Sequence, residues 1–527
     1  MTTEVKEEGI IPWLKYKINY GLTYKGMITF TIVWEFCIVL FLSTFSEPIT
    51  GLLNVEPWMT LDPDPVEKAG RIIMVYHAIS VPFIAVCTYF VLEFMDVREK
   101  FRSRVKWPLF IGSILASANA LIFAYILPEA WILHGLFLVG MSLCFYAGIM
   151  LLIGVFPTRT FPRRDPDTGR NIFVAQLALA LLTICILASV VLGASIGAFF
   201  GNGLTVLQAE YFLREYDYIT YPVIFVDGIK GHLHIMLGLI DVIILLVVYR
   251  YTVPDQKGKW YLISMLLAIP GFIIMSIGCW LVTISEWIHS FADVDIHYLI
   301  YAGSAILVTV GLILALTGWN KTSKEILGDS YGSASWLTRA KAVFKDPVKL
   351  TLYFLFIWVN FVMTFTGIFL ALSLRDDSIL TRVTGMVSFR SGPVAIEDTV
   401  ARGHWHVLAV LSAILLLLFF IDILDIQGKP RIAMGWLSFA GSIMAFLPTA
   451  IYMYFPHFDQ TWAAELDKYD DVLDYWLHNM PLLPNLSLIN LIIDFGIMLF
   501  VIAITIFCFH QLIQILKGRK DVKEFPE

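Results

Sequence analysis

Charge is scarce in this chain. Only 15% of its 527 residues are Asp, Glu, Lys or Arg, whereas 58% are hydrophobic and mean hydropathy is +0.75. That composition excludes a soluble protein of several domains and leaves a polytopic membrane protein. No basic block exists and the net charge is −6, which argues against nucleic acid as a partner. Cysteines are few as well: Cys37, Cys87, Cys144, Cys185, Cys279 and Cys508 all fall inside apolar runs, with no CxxC or CxxCH pair. A covalent c-type heme and a disulfide framework are thereby excluded, and the six read as small buried residues. The first ten residues are charged, with no short apolar core ending at a small-residue cleavage site, so the expectation is a first helix that inserts and stays.

What is present is apolar length. Runs long enough to cross about 30 Å of hydrocarbon lie near 24–46, 70–95, 106–128, 131–156, 172–200, 230–251, 259–286, 296–318, 349–373, 402–424, 432–455 and 485–515. The expected fold is an all-α integral membrane protein of twelve transmembrane helices, one transmembrane domain over 1–527. Basic residues collect in alternate connections: Arg98 to Lys106, Arg159 to Arg170, Arg250 to Lys259, Lys321 to Lys349, Lys429 with Arg431, and Lys517 to Lys523. The other connections are acidic or mixed, so the positive-inside rule puts both termini in the cytoplasm. Two outer segments, about 375–400 and 456–484, read as packed caps or docking surfaces.

Histidine placement carries the functional argument. His77 opens the second span, His232 and His234 the sixth, His404 and His406 the tenth; His289 closes the seventh and His297 opens the eighth. All seven fall in the outer half of the membrane. His77, His232 and His404 recur every 155 to 172 residues, once per four spans, as expected for three pseudo-symmetric four-helix repeats near 24–156, 172–318 and 349–515. A single intramembrane histidine, such as His134 or His510, is most simply a hydrogen-bonded helix residue. Several at one depth on related helices point to metal or heme ligation.

Gly403-His404-Trp405-His406 gives the arrangement its centre. Positions i and i+2 of an α-helix project roughly 200° apart, so the two imidazoles serve separate centres. His406 on one face is expected to share a low-spin heme with His77. His404 on the other would hold a second, high-spin heme with its sixth position open to substrate. Across from that position His232 and His289 are candidate ligands of a non-heme metal.

Here the motifs resemble those of the heme-copper oxidase superfamily, catalytic subunit. GHWHVL, with Asp398-Thr399 upstream, is similar to the family's tenth-helix motif; GHLHIML from Gly231 to its sixth-helix motif; and WIHSFADVDIHYLIYAGSA from Trp287 to the stretch joining its seventh and eighth helices. Met236 stands where the best-known oxygen reductases carry a redox-active tyrosine, the paired seventh-helix histidines are reduced to Ile288-His289, and the eighth span has no lysine. These departures weaken the oxygen-reductase reading. For the missing third metal ligand, Glu286 precedes His289 by three residues and shares its face; His234 qualifies only if the helix start is unwound. A His232, His289 and Glu286 set suits iron better than copper, and a carboxylate beside non-heme iron is what nitric oxide reductases of this superfamily use, although on another helix.

The resemblance therefore implies a membrane respiratory reductase of a prokaryotic cell membrane. It would carry two b-type hemes and one non-heme metal, iron favoured and copper possible in kind, and reduce nitric oxide to nitrous oxide. Glu286 and His234 would lie at the catalytic centre, and Arg71 and Arg402 near the heme propionates. No extramembrane segment is large enough for an electron-carrying module, so electrons would come from a cytochrome c subunit, a soluble carrier or quinol. Glu35, Glu93, Asp96, Asp241 and Asp494 are candidate proton relays. Three alternatives stay open: a divergent terminal oxygen reductase, a non-catalytic diheme electron-transfer subunit, and a secondary transporter.

Overall fold

The computed structural model describes residues 18–43, 65–127, 130–158, 164, 172–200, 232, 235–236, 243–244, 246–248, 250–251, 259–282, 297–358, 413–458 and 484–516. Among these residues every regular element is helical, and eight helices are long and apolar enough to cross a membrane. The protein is therefore an all-α, multi-pass membrane protein. With no water in the hydrocarbon to satisfy backbone groups, a helix is the form such runs must take.

The chain divides into two compact units, Met1–Ile296 and His297–Glu527. The first holds α1 (Tyr24–Ser43), α2 (Pro65–Phe94), α3 (Glu99–Tyr125), α4 (Trp131–Val155), α5 (Ile172–Phe200) and α6 (Lys259–Val282). Each packs on the next in sequence, most extensively α3 on α4. The second holds α7 (His297–Leu327), the short α8 (Trp336–Ala342), α9 (Pro347–Trp358), α10 (Ala413–Ile423), α11 (Lys429–Phe458) and α12 (Pro484–Leu516). There α9 packs against both α7 and α11, and α11 most extensively against α12.

Lipid-embedded helices gain little from apolar burial against one another, so close approach depends on small residues. A methyl group added to Gly112 of α3 would stand 2.7 Å from the Gly140 carbonyl oxygen of α4, and the backbone at Ala116 closes on Gly140 from the other side. The pair α11–α12 repeats the device: a methyl on Gly441 would stand 2.9 Å from the Gly496 carbonyl oxygen, and one on Gly496 2.5 Å from the Ala445 nitrogen.

Polar residues tie the helix ends. Arg98 donates through Nε to the Gly154 carbonyl at 3.3 Å and through Nη2 to the Ile153 carbonyl, satisfying oxygens that the end of α4 leaves without helical partners. In the second unit Arg431 Nη2 bonds Asp346 Oδ2 and Asp422 Oδ1, each at 2.8 Å, joining the start of α9, the end of α10 and the start of α11. Deeper in, the buried Tyr353 hydroxyl pairs with Thr322 Oγ1 at 3.0 Å. None of the six cysteines is in a disulfide. Cys87 and Cys279 are buried as expected, but Cys37 is exposed, a position that suits a weakly polar thiol when the surroundings are lipid.

Candidate functional site

His77 and His232 are the two predicted ligands whose surroundings the structure describes, and both belong to the first unit. His77 lies near the middle of α2, where Pro82 shapes the local backbone. Proline has no N–H, so the carbonyl four residues earlier, that of Ala78, loses its helical donor. The Trp34 indole of α1 replaces it, Nε1 donating to Ala78 O at 3.1 Å. Thr31, one turn along α1, reaches the Pro82 carbonyl at 3.4 Å. The turn that carries His77 is thus held from outside its own helix. On its other flank the imidazole meets Phe137 of α4 edge-on, ring centroids 5.7 Å apart.

His232 is seated against α5. Its Nδ1 lies 2.9 Å from the Ser189 carbonyl oxygen and 3.1 Å from Ser189 Oγ. A carbonyl only accepts, so Nδ1 carries the proton and the lone pair of the neutral ring is on Nε2. That nitrogen makes no hydrogen bond among the described residues. An imidazole fixed by an Nδ1–H to a backbone carbonyl, with Nε2 open, is the form in which proteins present histidine to a metal. The seat also needs Gly193, one turn on from Ser189 along α5. A methyl there would stand 2.6 Å from His232 Cε1 and 3.0 Å from each ring nitrogen.

The donor chemistry at His232 therefore fits a metal that takes neutral imidazole. His234, Glu286, His289, Arg402, His404 and His406 lie outside the described residues, as do the side chains of Arg71 and His297. Among the described residues no three His, Cys, Asp or Glu side chains converge.

No known protein family matches this sequence, and neither a curated protein nor a solved structure matches the chain.

Other sequence expectations sort by burial. His134, expected as a hydrogen-bonded helix residue, packs by its ring between Phe123 and Phe137, centroids 5.2 and 6.0 Å away, in nearly parallel stacks. Of the acidic residues considered as proton relays, Asp241 lies outside the described residues, Glu93 and Asp494 are exposed, and Asp96 sits in the link between α2 and α3. Glu35 differs: its Oε1 is buried and has no hydrogen-bond partner among the described residues. Ser189 and Gly193 were not singled out from sequence. They are two of many small residues in α5, which also carries Ala188, Ala194, Ser195 and Gly197, so the sequence does not set them apart.

Proposed function

We propose that this chain is a catalytic subunit of the heme-copper oxidase superfamily that reduces nitric oxide to nitrous oxide in a prokaryotic respiratory membrane. The observation that carries the reading is the seat of His232, which fixes the tautomer of the imidazole and leaves Nε2 without a hydrogen bond among the described residues. The histidine spacing and the four short motifs support the same reading.

Within it, His77 and His406 hold a low-spin b-type heme, His404 a high-spin one, and His232, His289 and Glu286 a non-heme iron, with His234 the alternative third ligand. When bound, the high-spin heme and the iron supply Lewis-acid sites and two electrons, which with two protons convert two NO to N2O and water. This chain's residues orient and exclude. Ser189 and Gly193 set the angle at which His232 enters the site. Trp34 and Pro82 fix the turn bearing His77. The apolar walls formed by Phe137 and its neighbours keep water out. Glu35 is the acid favoured to hold a proton, because its carboxyl carries a buried oxygen that no described residue satisfies.

Twelve spans in three repeats with cytoplasmic termini belong to the same proposal. The glycine contacts of α3–α4 and α11–α12 support the repeat: Gly112 follows His77 by 35 residues and Gly441 follows His404 by 37. A cytochrome c subunit or quinol supplies the electrons.

The test is His404→Ala in the purified protein. The expected result is loss of the high-spin heme spectrum with the low-spin spectrum kept. Loss of both spectra from a protein that still unfolds cooperatively at its normal temperature would contradict the assignment.

A further inference from the structure

The connection between α7 and α9, residues 328–346, is an ordered scaffold. Ser335 caps α8, its Oγ accepting from the Thr338 N–H at 3.2 Å. The Arg339 guanidinium lies 4.4 Å from the centroid of the Tyr331 ring and donates to the Gly332 carbonyl at 3.1 Å. Ser323 at the foot of α7 donates to the Arg339 carbonyl at 2.7 Å, and Ala342 and Val343 are buried.

What this scaffold displays is unusual for a connection facing water. Trp336 is 78% exposed, Leu337 46% and Phe344 48%. Exposed Lys341 and Lys345 lie among them, one and two turns along from Leu337. The nearby acids are largely committed elsewhere: Glu325 faces Lys321 and Lys349 at 3.6 and 3.7 Å, and Asp346 is held by Arg431. Asp329, exposed at the start of the connection, is the remaining acid. Among the described residues no acid pairs with Lys341 or Lys345.

We propose that this face is a membrane-surface anchor that binds the phosphate head groups of anionic phospholipids. α7 and α9 are both apolar helices whose ends meet here, so the boundary of the bilayer passes beside the connection. An amphipathic ring such as Trp336 is at its best in that layer, while Leu337 and Phe344 reach toward the acyl chains. The two lysines extend their ammonium groups to the phosphates above. A soluble acidic partner would neutralise the lysines equally well but would leave three large apolar side chains to be buried anew. The lipid is in place already.

The test uses the full-length protein in nanodiscs of phosphatidylcholine, with or without phosphatidylglycerol, containing brominated acyl chains that quench nearby tryptophans. Trp336→Phe isolates one signal from the fifteen tryptophans. The expected result is a quenched component present in the wild type and absent in W336F, together with enrichment of phosphatidylglycerol around the protein. K341E/K345E should weaken that enrichment by at least about fivefold for each lysine lost, which corresponds to the roughly 1 kcal/mol one basic side chain gains at an anionic surface. All three positions are exposed, so the variants should keep the wild-type unfolding temperature. Trp336 quenched by aqueous iodide rather than by brominated lipid would overturn the proposal. So would an unchanged lipid preference in K341E/K345E.

Discussion

Gly193→Ala isolates the geometry on which the site depends. Two effects oppose each other. Alanine in the interior of α5 is intrinsically favoured over glycine by about 1 kcal/mol, so on propensity alone the variant should be more stable. The added methyl, however, would begin 2.6 Å from His232 Cε1. Carbon atoms in ordinary contact stand about 3.5–4.0 Å apart, so the ring or the helix must give by roughly 1 Å. The ring is the easier to move, and a shift of that size takes Nδ1 from 2.9 Å to beyond hydrogen-bond range of the Ser189 carbonyl. The expected outcome is little change in stability but a loss of metal affinity of about 10- to 100-fold, the usual effect of removing the partner that orients a metal-bound histidine. Ser189→Ala is the control. It deletes only the hydroxyl, leaves the carbonyl acceptor in place, and should cost far less affinity. Non-heme metal per chain, measured by elemental analysis after dialysis against a graded chelator, reads the difference. If G193A retains metal as tightly as the wild type, or if S189A loses more than G193A, the seat does not orient a ligand.

Two further perturbations test the supports. Trp34→Phe removes the donor to the Ala78 carbonyl and should lower stability by about 1 kcal/mol; in a Pro82→Ala background, where residue 82 regains its own N–H for that carbonyl, the same change should cost almost nothing. Equal losses in both backgrounds, followed by thermal unfolding in detergent, would show that the indole bond is not filling the gap left by Pro82. Arg431→Met leaves Asp346 and Asp422 facing each other without their cation and should cost about 3 kcal/mol, as when one member of a buried pair is removed, whereas Arg431→Lys should lose less; an unchanged unfolding temperature in R431M would assign the clamp no structural role.

Much of the fold could be read from hydropathy, because a bilayer imposes both the length and the helical form of each span. The predicted second, third, fourth, fifth, seventh, eighth, eleventh and twelfth spans each overlay one of the eight long apolar helices. α1 and α10 fall inside the first and tenth, and α9 overlaps the start of the ninth; most of the sixth lies outside the described residues. Histidine spacing likewise pointed to His232 as a ligand candidate. Its seat was not legible, since Ser and Gly are common in apolar helices and only the contacts of His232 with α5 show that Ser189 and Gly193 face the imidazole. The acids behaved in the same way: Glu35, Glu93 and Asp494 look alike along the chain, and burial alone separates the first from the others. In the connection between α7 and α9 the lysines advertised themselves by charge, while the exposure of Trp336 and Phe344 depends on which side of α8 the scaffold turns outward.

We propose that this membrane protein holds two hemes and a non-heme metal and uses them on nitric oxide; heme and metal analysis of the purified chain, together with NO and O2 consumption by the same preparation, is the decisive measurement. The expected result is two b-type hemes and one non-heme iron per chain, with NO consumed faster than O2. One heme or none, no non-heme metal, or oxygen turnover without NO turnover would contradict it.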